Sequence, residues 1–459
     1  MLKDSIKNTS YYYRDLLKFY KYNIPEKSKL LVIGCKTGQL VNDLHPKIGV
    51  GIDASKEMIK TAKKMFGKNT KLHFYHMDIE KITLKGRFDY IIISDIIGNL
   101  KDVEKFFWNL KKISDSKTRI IINYQNFLWL PFFSIREKIG LKMPSKRLNW
   151  LNYNDISNLL YLNGITVVKH GKRFLFPKYI PFISSFINKY LANIPLLDKL
   201  CLTNYIVAKQ ELLIESTNKS HSVSIIIPAR NEKGNIENTV SRTPSMGKFT
   251  EIIFVEGHST DGTLEEIKRV CNKYSKKFNM KYMVQNGKGK NDAVKKGFAV
   301  AKGDILMILD ADLSTSPEEL PKFYSAISAG KGDFINGCRL VYPLEKESMR
   351  FLNILGNKFF SIIFTWLIGQ KIKDTLCGTK VISKENYRKL IKNREYFGDF
   401  DPFGDFDLLF GAAKLNLKII EIPIRYKARV YGVTNISRFK HGFLLLKMTI
   451  FAMNKIKFI

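Results

Sequence analysis

Ile305–Pro317 reads ILMILDADLSTSP, an apolar run that ends in two aspartates spaced two apart and then turns. In an extended chain residues i and i+2 face the same side. The spacing therefore predicts Asp310 and Asp312 aimed at one spot on the C-terminal edge of a strand. Two hard oxygen ligands there suit Mg2+ or Mn2+, which bridges a nucleotide's phosphates and neutralises the charge of a departing diphosphate. The same aspartates also read as turn residues closing a strand. The flanking sequence favours the first reading.

Upstream, Ser222–Val240 reads SVSIIIPARNEKGNIENTV, a buried strand, a polar loop and a helix. The next strand, Glu251–Val255, runs into EGHSTDGTLEEI, with Ser259, Asp261 and Thr263 at a helix start. Asn286–Asp304, NGKGKNDAVKKGFAVAKGD, is a basic glycine-rich loop leading into a helix. In this order the segments resemble the nucleotide-binding half of family-2 glycosyltransferases with a GT-A fold. The resemblance is to the polyprenyl-phosphate (dolichyl-phosphate) mannosyl- and glucosyltransferase type and covers about residues 222–440. It implies that Pro228, Ala229, Asn231 and Glu232 surround the nucleoside. Lys288, Lys290 and Asp292 then lie near the base and diphosphate, Asp310 and Ala311 line the nucleotide-sugar site, and Asp310 with Asp312 holds the divalent cation. Glu256 stands where the family has the first of two aspartates and Gly257 replaces the second, which leaves UDP against GDP open. Lysines on a glycine-rich loop act as point charges beside phosphate; a solvated basic face is the competing reading.

The second half of this region is expected to bind the acceptor. Lys373–Ser383, KDTLCGTKVIS, resembles the family's segment after its amphipathic helices. Phe397–Lys414, FGDFDPFGDFDLLFGAAK, carries Asp399, Asp401, Asp405 and Asp407. Inverting transfer to a sugar hydroxyl needs a general base beside the attacking oxygen, whereas a lipid phosphate is already ionised. Asp405 is the candidate base or an acceptor-binding carboxylate; a helix N-terminal cap is the alternative for Asp405 and Asp407. Arg425, Arg429 and Arg438 read equally as forks for a diphosphate or lipid phosphate and as membrane-facing cations.

The N-terminal half has a different pattern. Lys29–Gly38, KLLVIGCKTG, is a strand, a glycine turn and a helix start; GVGID then closes a second strand on Asp53. FYHMDIE, with Asp78, and FDYIIISD, with Asp89 and Asp95, continue the alternation. There is no multi-glycine or basic phosphate cradle, and the G-x-G-x-x-G spacing of NAD sites is missing. Over about residues 20–210 the pattern resembles class I S-adenosylmethionine-dependent methyltransferases. Gly34, Cys35 and Gly38 match the first motif, Asp53 the ribose-binding acid, Asp78 the residue beside the adenine and Asp95 the loop near the methyl donor. Lys36 stands where the family often has a glycine. A degenerate domain kept as a scaffold is the alternative. If the methyl acceptor is a hydroxyl, Asp95 or His76 is the candidate base, although His76 also reads as a surface histidine.

The expected fold class is α/β with two Rossmann-like domains, a methyltransferase sheet at 1–210 and a GT-A glycosyltransferase sheet at 222–440. A linker is expected at 211–221 and an amphipathic membrane-surface segment at 441–459. The 459 residues accommodate both domains. Cys35, Cys201, Cys271, Cys338 and Cys377 are scattered, without CxxC spacing, which points to a reducing compartment rather than structural zinc. The N-terminus has no signal-peptide core.

A net charge of +34, from 76 basic and 42 acidic residues, calls for an anionic partner. No nucleic-acid-binding signature accompanies it, and an anionic membrane leaflet fits better. Lysine-bordered apolar segments recur at Phe127–Ile135, Phe174–Leu200, Phe359–Gly369 and Phe443–Ile459. None is long enough to span a bilayer uninterrupted, so helices lying in the interface are expected. The combined expectation is a cytoplasmic protein, peripheral at the inner membrane face. It would use a UDP- or GDP-linked sugar, a polyprenyl-phosphate or membrane-linked glycan acceptor, Mg2+ or Mn2+, and S-adenosylmethionine. A basic polyanion-binding protein is the reading from a different class.

Overall fold

The computed structural model describes residues 2–84, 86–129, 151–211, 221–340, 351–392, 404–427, 429, 431 and 438–458. It divides into two compact units, Met1–Leu213 with Lys457–Ile459, and Ile214–Ile456.

The first unit holds a seven-stranded sheet of β1 (Lys29–Ile33), β2 (Ile48–Asp53), β3 (Leu72–His76), β4 (Tyr90–Ser94), β5 (Arg119–Gln125), β6 (Ile165–Arg173) and β7 (Thr203–Gln210), in the order β3-β2-β1-β4-β5-β7-β6. β1 shows why its apolar run is unbroken. Leu31 and Ile33 join the core on one face, with Ile91, Ile93, Phe106 and Phe107. Leu30 and Val32 join the core on the other, with Phe19 and Tyr20 of the N-terminal helix Leu2–Asn23. A parallel strand covered on both faces cannot alternate with polar residues. The order reverses between β1 and β4, so the C-terminal ends of those strands open a crevice suited to a ligand.

The second unit repeats the principle with β8 (Val223–Ala229), β9 (Thr250–Glu256), β10 (Asn279–Val284), β11 (Ile305–Ile308), β12 (Phe334–Cys338), β13 (Lys380–Ser383) and β14 (Ile419–Pro423), in the order β10-β9-β8-β11-β13-β12-β14. β13 runs antiparallel to both β11 and β12. Its switch point lies between β8 and β11. One expectation fails in detail. β11 stops at Ile308, and Asp310 and Asp312 sit in the following turn, where Leu313 takes a left-handed φ of 57°. Strand alternation is therefore not what directs them; the turn is.

The apolar segments after β12 form helix Phe351–Ile368, and the C-terminal one forms helix Arg438–Ala452. Of Phe127–Ile135, only the short turn Phe127–Trp129 falls within the described residues. Among the described residues no helix is long and apolar enough to cross a membrane.

Candidate active sites

In the second unit the ends of β8, β9 and β11 meet around a set of charged side chains. Gly289 precedes helix Lys290–Val300, and Lys290, the helix's first residue, places its Nζ 2.5 Å from Asp310 Oδ1. Burial opposes charge on Lys290, but Asp310, then Asp405 and Asp312, hold its ammonium above the usual lysine range. Burial likewise pushes Asp310 up, and is outweighed by Lys290, with Lys380 and Arg339 adding to the pull, so its carboxyl lies below the usual range. Gly378 makes this approach feasible: a Cβ there would collide with Asp310 Oδ2 and stand 2.5 Å from Lys290 Nζ.

Asp312 turns the other way. Its Oδ1 accepts from the Ser314 amide (3.0 Å) and hydroxyl (2.7 Å), and its Oδ2 accepts from Arg429 Nη2 at 2.7 Å. The second Arg429 nitrogen donates to Glu232 Oε1 at 2.9 Å, so one guanidinium bridges two carboxylates. The segment carrying Arg429 is held to the aspartate turn by a bridge between Thr315 and Tyr426 and by the Lys427 amide donating to Ser314 O at 3.0 Å. Burial raises Glu232 to about 6, against the downward pull of Asn235 and Arg429; Asp312 and Asp310 add to the rise.

The loop after β8 is fixed by its neighbour after β9. Asn231, at φ 55°, donates its amide to Ser259 Oγ (2.9 Å), and its Oδ1 accepts the Thr260 amide (2.9 Å). Thr263 Oγ1 accepts the Glu232 amide at 2.9 Å. Glu256 is buried and caps its own loop, accepting the Ser259 amide at 2.5 Å. Gly257 donates its amide to Ala229 O at 2.9 Å. Pro228 and Ala229 end β8, while Ala311 is buried in the core between the two aspartates. Asp292 accepts the Gly287 amide at 2.8 Å, which shapes the glycine-rich loop, and Lys288 is exposed on that loop.

Further along the chain Asp405 opens helix Asp405–Lys414, behind Gly404 at φ 77°. It is buried and its Oδ1 lies 2.8 Å from Nζ of Lys380, itself 1 % exposed. Lys380 also donates to Cys377 O. Next to this pair, Arg339 grips Asp374 through Nε (2.7 Å) and Nη2 (2.8 Å). Burial opposes ionisation of Asp374, but Arg339 brings it down to about 2. Arg425 is exposed and Arg438 begins the C-terminal helix. Asp399 and Asp401 lie outside the described residues.

Sequence reasoning missed Lys380, Arg339 and Asp374. Lys380 and Asp374 lie inside the quoted segment Lys373–Ser383, but nothing local shows that they face carboxylate or guanidinium partners.

These residues suit a divalent cation. Asp310 and Asp312 each already hold a cationic side chain in its place, which is the charge pattern of a cation site. Among the described residues no group of three or more His, Cys, Asp or Glu forms a metal cage. Mg2+ typically takes one or two carboxylates and completes its shell with phosphate and water.

In the first unit the turn after β1 has Gly34 at φ 78°, Lys36 at φ 51° and Gly38 at φ 77°. A Cβ on Gly34 would stand 2.5 Å from Ile96 Cγ2, so the turn packs directly on the residue after Asp95. Asp53 organises it: Oδ2 accepts the Lys36 amide and Oδ1 the Ser55 amide, both at 2.9 Å. Each oxygen retains a second acceptor site for a ribose hydroxyl. Asp78 is exposed and accepts the Glu80 amide at 3.0 Å. Cys35 is buried, and burial pushes its thiol up to about 12, so it is a packing residue. His76 is exposed, with Nε2 3.1 Å from Ala54 O.

Asp95, at the end of β4, takes φ 53°, a conformation sustained only where surroundings impose it. Asn123 Nδ2 donates to its Oδ1 at 2.7 Å and Tyr12 OH to its Oδ2 at 3.4 Å. Tyr20 OH in turn donates to Asn123 Oδ1. Burial, reinforced by Asp95, holds both tyrosines far above their usual range, so they remain neutral donors. Tyr12, Tyr20 and Asn123 were not foreseen; the only local signal was the tyrosine run at residues 11–13. The acidic, cradle-free crevice fits a cationic sulfonium nucleoside better than a pyrophosphate.

Comparison with known proteins places each half of the chain in a family. Residues 224–391 match the family described as Glycosyl transferase family 2, and residues 25–158 match one described as Methyltransferase domain. The chain thus joins a methyltransferase domain to a family-2 glycosyltransferase domain. It is similar to the dolichol-phosphate mannosyltransferase of Saccharomyces cerevisiae, with 39 % identity over 110 residues, 23 % of this chain and 40 % of that protein. It is also similar to the dolichol-phosphate mannosyltransferase of Pyrococcus furiosus, with 30 % identity over 215 residues, 46 % of this chain and 58 % of that protein. The chain therefore spans well under two thirds of either relative. For the first unit, the SAH-bound magnesium protoporphyrin IX methyltransferase of Synechocystis is 15 % identical over 45 % of this chain and 86 % of that one, at a TM-score of 0.32, a likeness that carries no further weight.

Proposed function

We propose that the second unit transfers a sugar from a UDP- or GDP-linked donor to a polyprenyl phosphate. The observation that carries this reading is the buried pair of Asp405 and Lys380. Transfer to a hydroxyl would require a carboxylate to take up its proton, and protonating Asp405 would strip a buried ammonium of its counter-charge. An ionised phosphate needs no base. Asp405 then fixes Lys380, as Asp374 fixes Arg339, and the two held cations offer donors to an anionic acceptor. A membrane-held glycan is the alternative acceptor, in which Asp405 serves as base.

In this reading Asp310 and Asp312 hold Mg2+ or Mn2+, which supplies neutralisation of the leaving diphosphate. Lys290 places a further positive charge beside Asp310. Arg429, which bridges Glu232 and Asp312, is close enough to the aspartate turn to exchange a carboxylate for a diphosphate oxygen. The polar loop around Asn231 and Glu232 frames the nucleoside. Helix Phe351–Ile368 exposes Phe359 and Ile362, and helix Arg438–Ala452 exposes Phe443, Leu446 and Ile450. Those faces, with the basic charge, support peripheral association with an anionic membrane surface where the lipid acceptor resides.

The first unit binds S-adenosylmethionine between Asp53, which takes the ribose, and Asp95, which faces the sulfonium end. Its methyl acceptor is a product related to the sugar transfer. Calorimetry with UDP, GDP and S-adenosylmethionine, with and without Mn2+, tests both halves. Metal-dependent binding of one nucleoside diphosphate, lost in Asp312→Ala, and binding of S-adenosylmethionine, lost in Asp53→Ala, are expected. A chain that binds polyanions irrespective of metal would overturn the first half, and one indifferent to S-adenosylmethionine the second.

A further inference from the structure

Residues 174–202 form an insertion between β6 and β7 in the methyltransferase unit, and its polarity is inside out. The only residues that helix Ile183–Lys189 buries are two polar ones, Ser184 and Asn188. Ser184 Oγ accepts the Ile180 amide at 2.5 Å and Asn188 Oδ1 the Phe176 amide at 2.8 Å. From below, Asn126 Nδ2 donates to Lys199 O and Cys201 O, each at 2.9 Å, and Trp129 Nε1 to Leu200 O at 2.8 Å. Phe174 anchors the insertion at 2 % exposure, but five of its large apolar side chains point outward. Phe182 is 90 % exposed and Leu196 72 %, with Ile183, Phe186 and Leu200 each more than half exposed.

This is no under-packed core. A buried polar lattice fixes the backbone, and Phe182 and Leu196 are held at φ 60° and 80°, a conformation that bulky residues adopt only at a cost. The fold accepts that cost at the two most exposed apolar residues of the insertion. A concentration of exposed apolar side chains on one short insertion marks a surface that is covered in use.

The charge around the face identifies the cover. Lys178, Lys189 and Lys199 are exposed at its margin, and its lone acid, Asp198, lies 3.9 Å from Lys172. Tyr179 and Tyr190 are each a little over a third exposed, Tyr190 with its ring against Phe186. Apolar tips, an amphipathic aromatic border and a rim of lysine match the layers of an anionic bilayer from acyl chains to headgroups. A second copy of this chain, at +34, would bring lysine against lysine.

We infer that this insertion is a membrane foot of the methyltransferase unit, which seats Phe182 and Leu196 among the acyl chains of an anionic leaflet. The inference deepens the membrane reading above, and it is measured apart from sugar transfer. The probe is the full chain with Phe182→Cys carrying an environment-sensitive NBD label, added to vesicles with or without phosphatidylglycerol. Blue-shifted, brighter emission is expected with the anionic vesicles. A label that stays in water while the chain sediments with vesicles would overturn the foot yet leave the membrane reading of the glycosyltransferase unit intact. A shift that grows with protein concentration in the absence of vesicles would overturn it in favour of self-association. In an independent variant, Phe182→Glu with Leu196→Glu should weaken vesicle binding by about tenfold or more, from the apolar burial lost. Both residues are exposed, so its circular dichroism should match the parent's; undiminished binding with that matching spectrum would also contradict the inference.

Discussion

The two crevices sit at equivalent places, the strand-order reversal of a mainly parallel sheet, and are furnished in opposite ways. In the glycosyltransferase unit, charge is matched against charge: Lys290 with Asp310, Arg429 with Asp312 and Glu232, Lys380 with Asp405. In the methyltransferase unit the acids are held by neutral donors: Asp53 by backbone amides, Asp95 by Asn123 and Tyr12. A site that binds and releases a diphosphate needs mobile countercharge of both signs. A site for a sulfonium nucleoside needs a standing negative potential and hydroxyl acceptors. Under the proposed function the same architecture serves both, because the ligand chemistry resides in the loops.

The contrast can be broken at its strongest point first. Asp312→Ala should lower sugar transfer by about 10²–10³-fold through loss of charge stabilisation, and chelation of divalent cations should act in the same direction. Steady-state transfer rates check this; a loss under tenfold would remove Asp312 from the reacting centre. Next, Asp405→Ala leaves the buried Lys380 ammonium with the Cys377 carbonyl but without its paired carboxylate, and should cost about 3–5 kcal/mol of stability. Adding Lys380→Met should restore most of it. Denaturant melts of the single and double variants decide, and an unrescued double variant would show that Asp405 matters for something other than that pair.

In the other crevice, Asp53→Ala should weaken S-adenosylmethionine binding by about 10–100-fold, as for a hydrogen bond to a charged group, and leave sugar transfer at the parental rate. Calorimetry with S-adenosylmethionine beside steady-state transfer rates separates these effects. The smallest effect concerns pH. Glu232 is raised to about 6 from 4.5, so its protonated form favours the folded state; that contribution is full below about 4.5 and fades as pH rises through about 6. Below pH 6 the neutral carboxyl also loosens its hold on Arg429 and makes the site more positive. Metal-free binding of UDP or GDP should therefore tighten as pH falls through about 6, and Glu232→Gln should flatten that inflection. An inflection that persists in the variant would assign it to another group.

Much of the fold was legible because strands covered on both faces must be unbroken apolar runs, and KLLVI, SVSIII and EIIFV are such runs. Asp310 and Asp312 were legible as a pair but not in their geometry. The strand ends at Ile308, and the turn sends one carboxylate to Lys290 and the other to Arg429. Glu256 was legible as standing where the family has the first of two aspartates, but not its acceptance of the Ser259 amide, which caps its own loop. What stayed hidden was long-range polar pairing. Tyr20 meets Asn123 from 103 residues away, and Arg339 meets Asp374 across 35. Hydrophobic periodicity says nothing of such partners, because they depend on where loops from different strands converge. The insertion after β6 misled in another way: its apolar residues read as an interfacial helix, yet only Ile183–Lys189 is α-helical and the outward face is built largely from turns.

The acceptor is the central claim, and one product analysis tests it. The full chain would be incubated with radiolabelled sugar nucleotides, Mn2+ or Mg2+, and a membrane lipid extract. Label in a lipid that releases its sugar under mild acid is the predicted result, since a sugar phosphodiester is labile and its formation needs no base. Label in an acid-stable saccharide would contradict the account, and would require Asp405 to surrender Lys380 and act as the base.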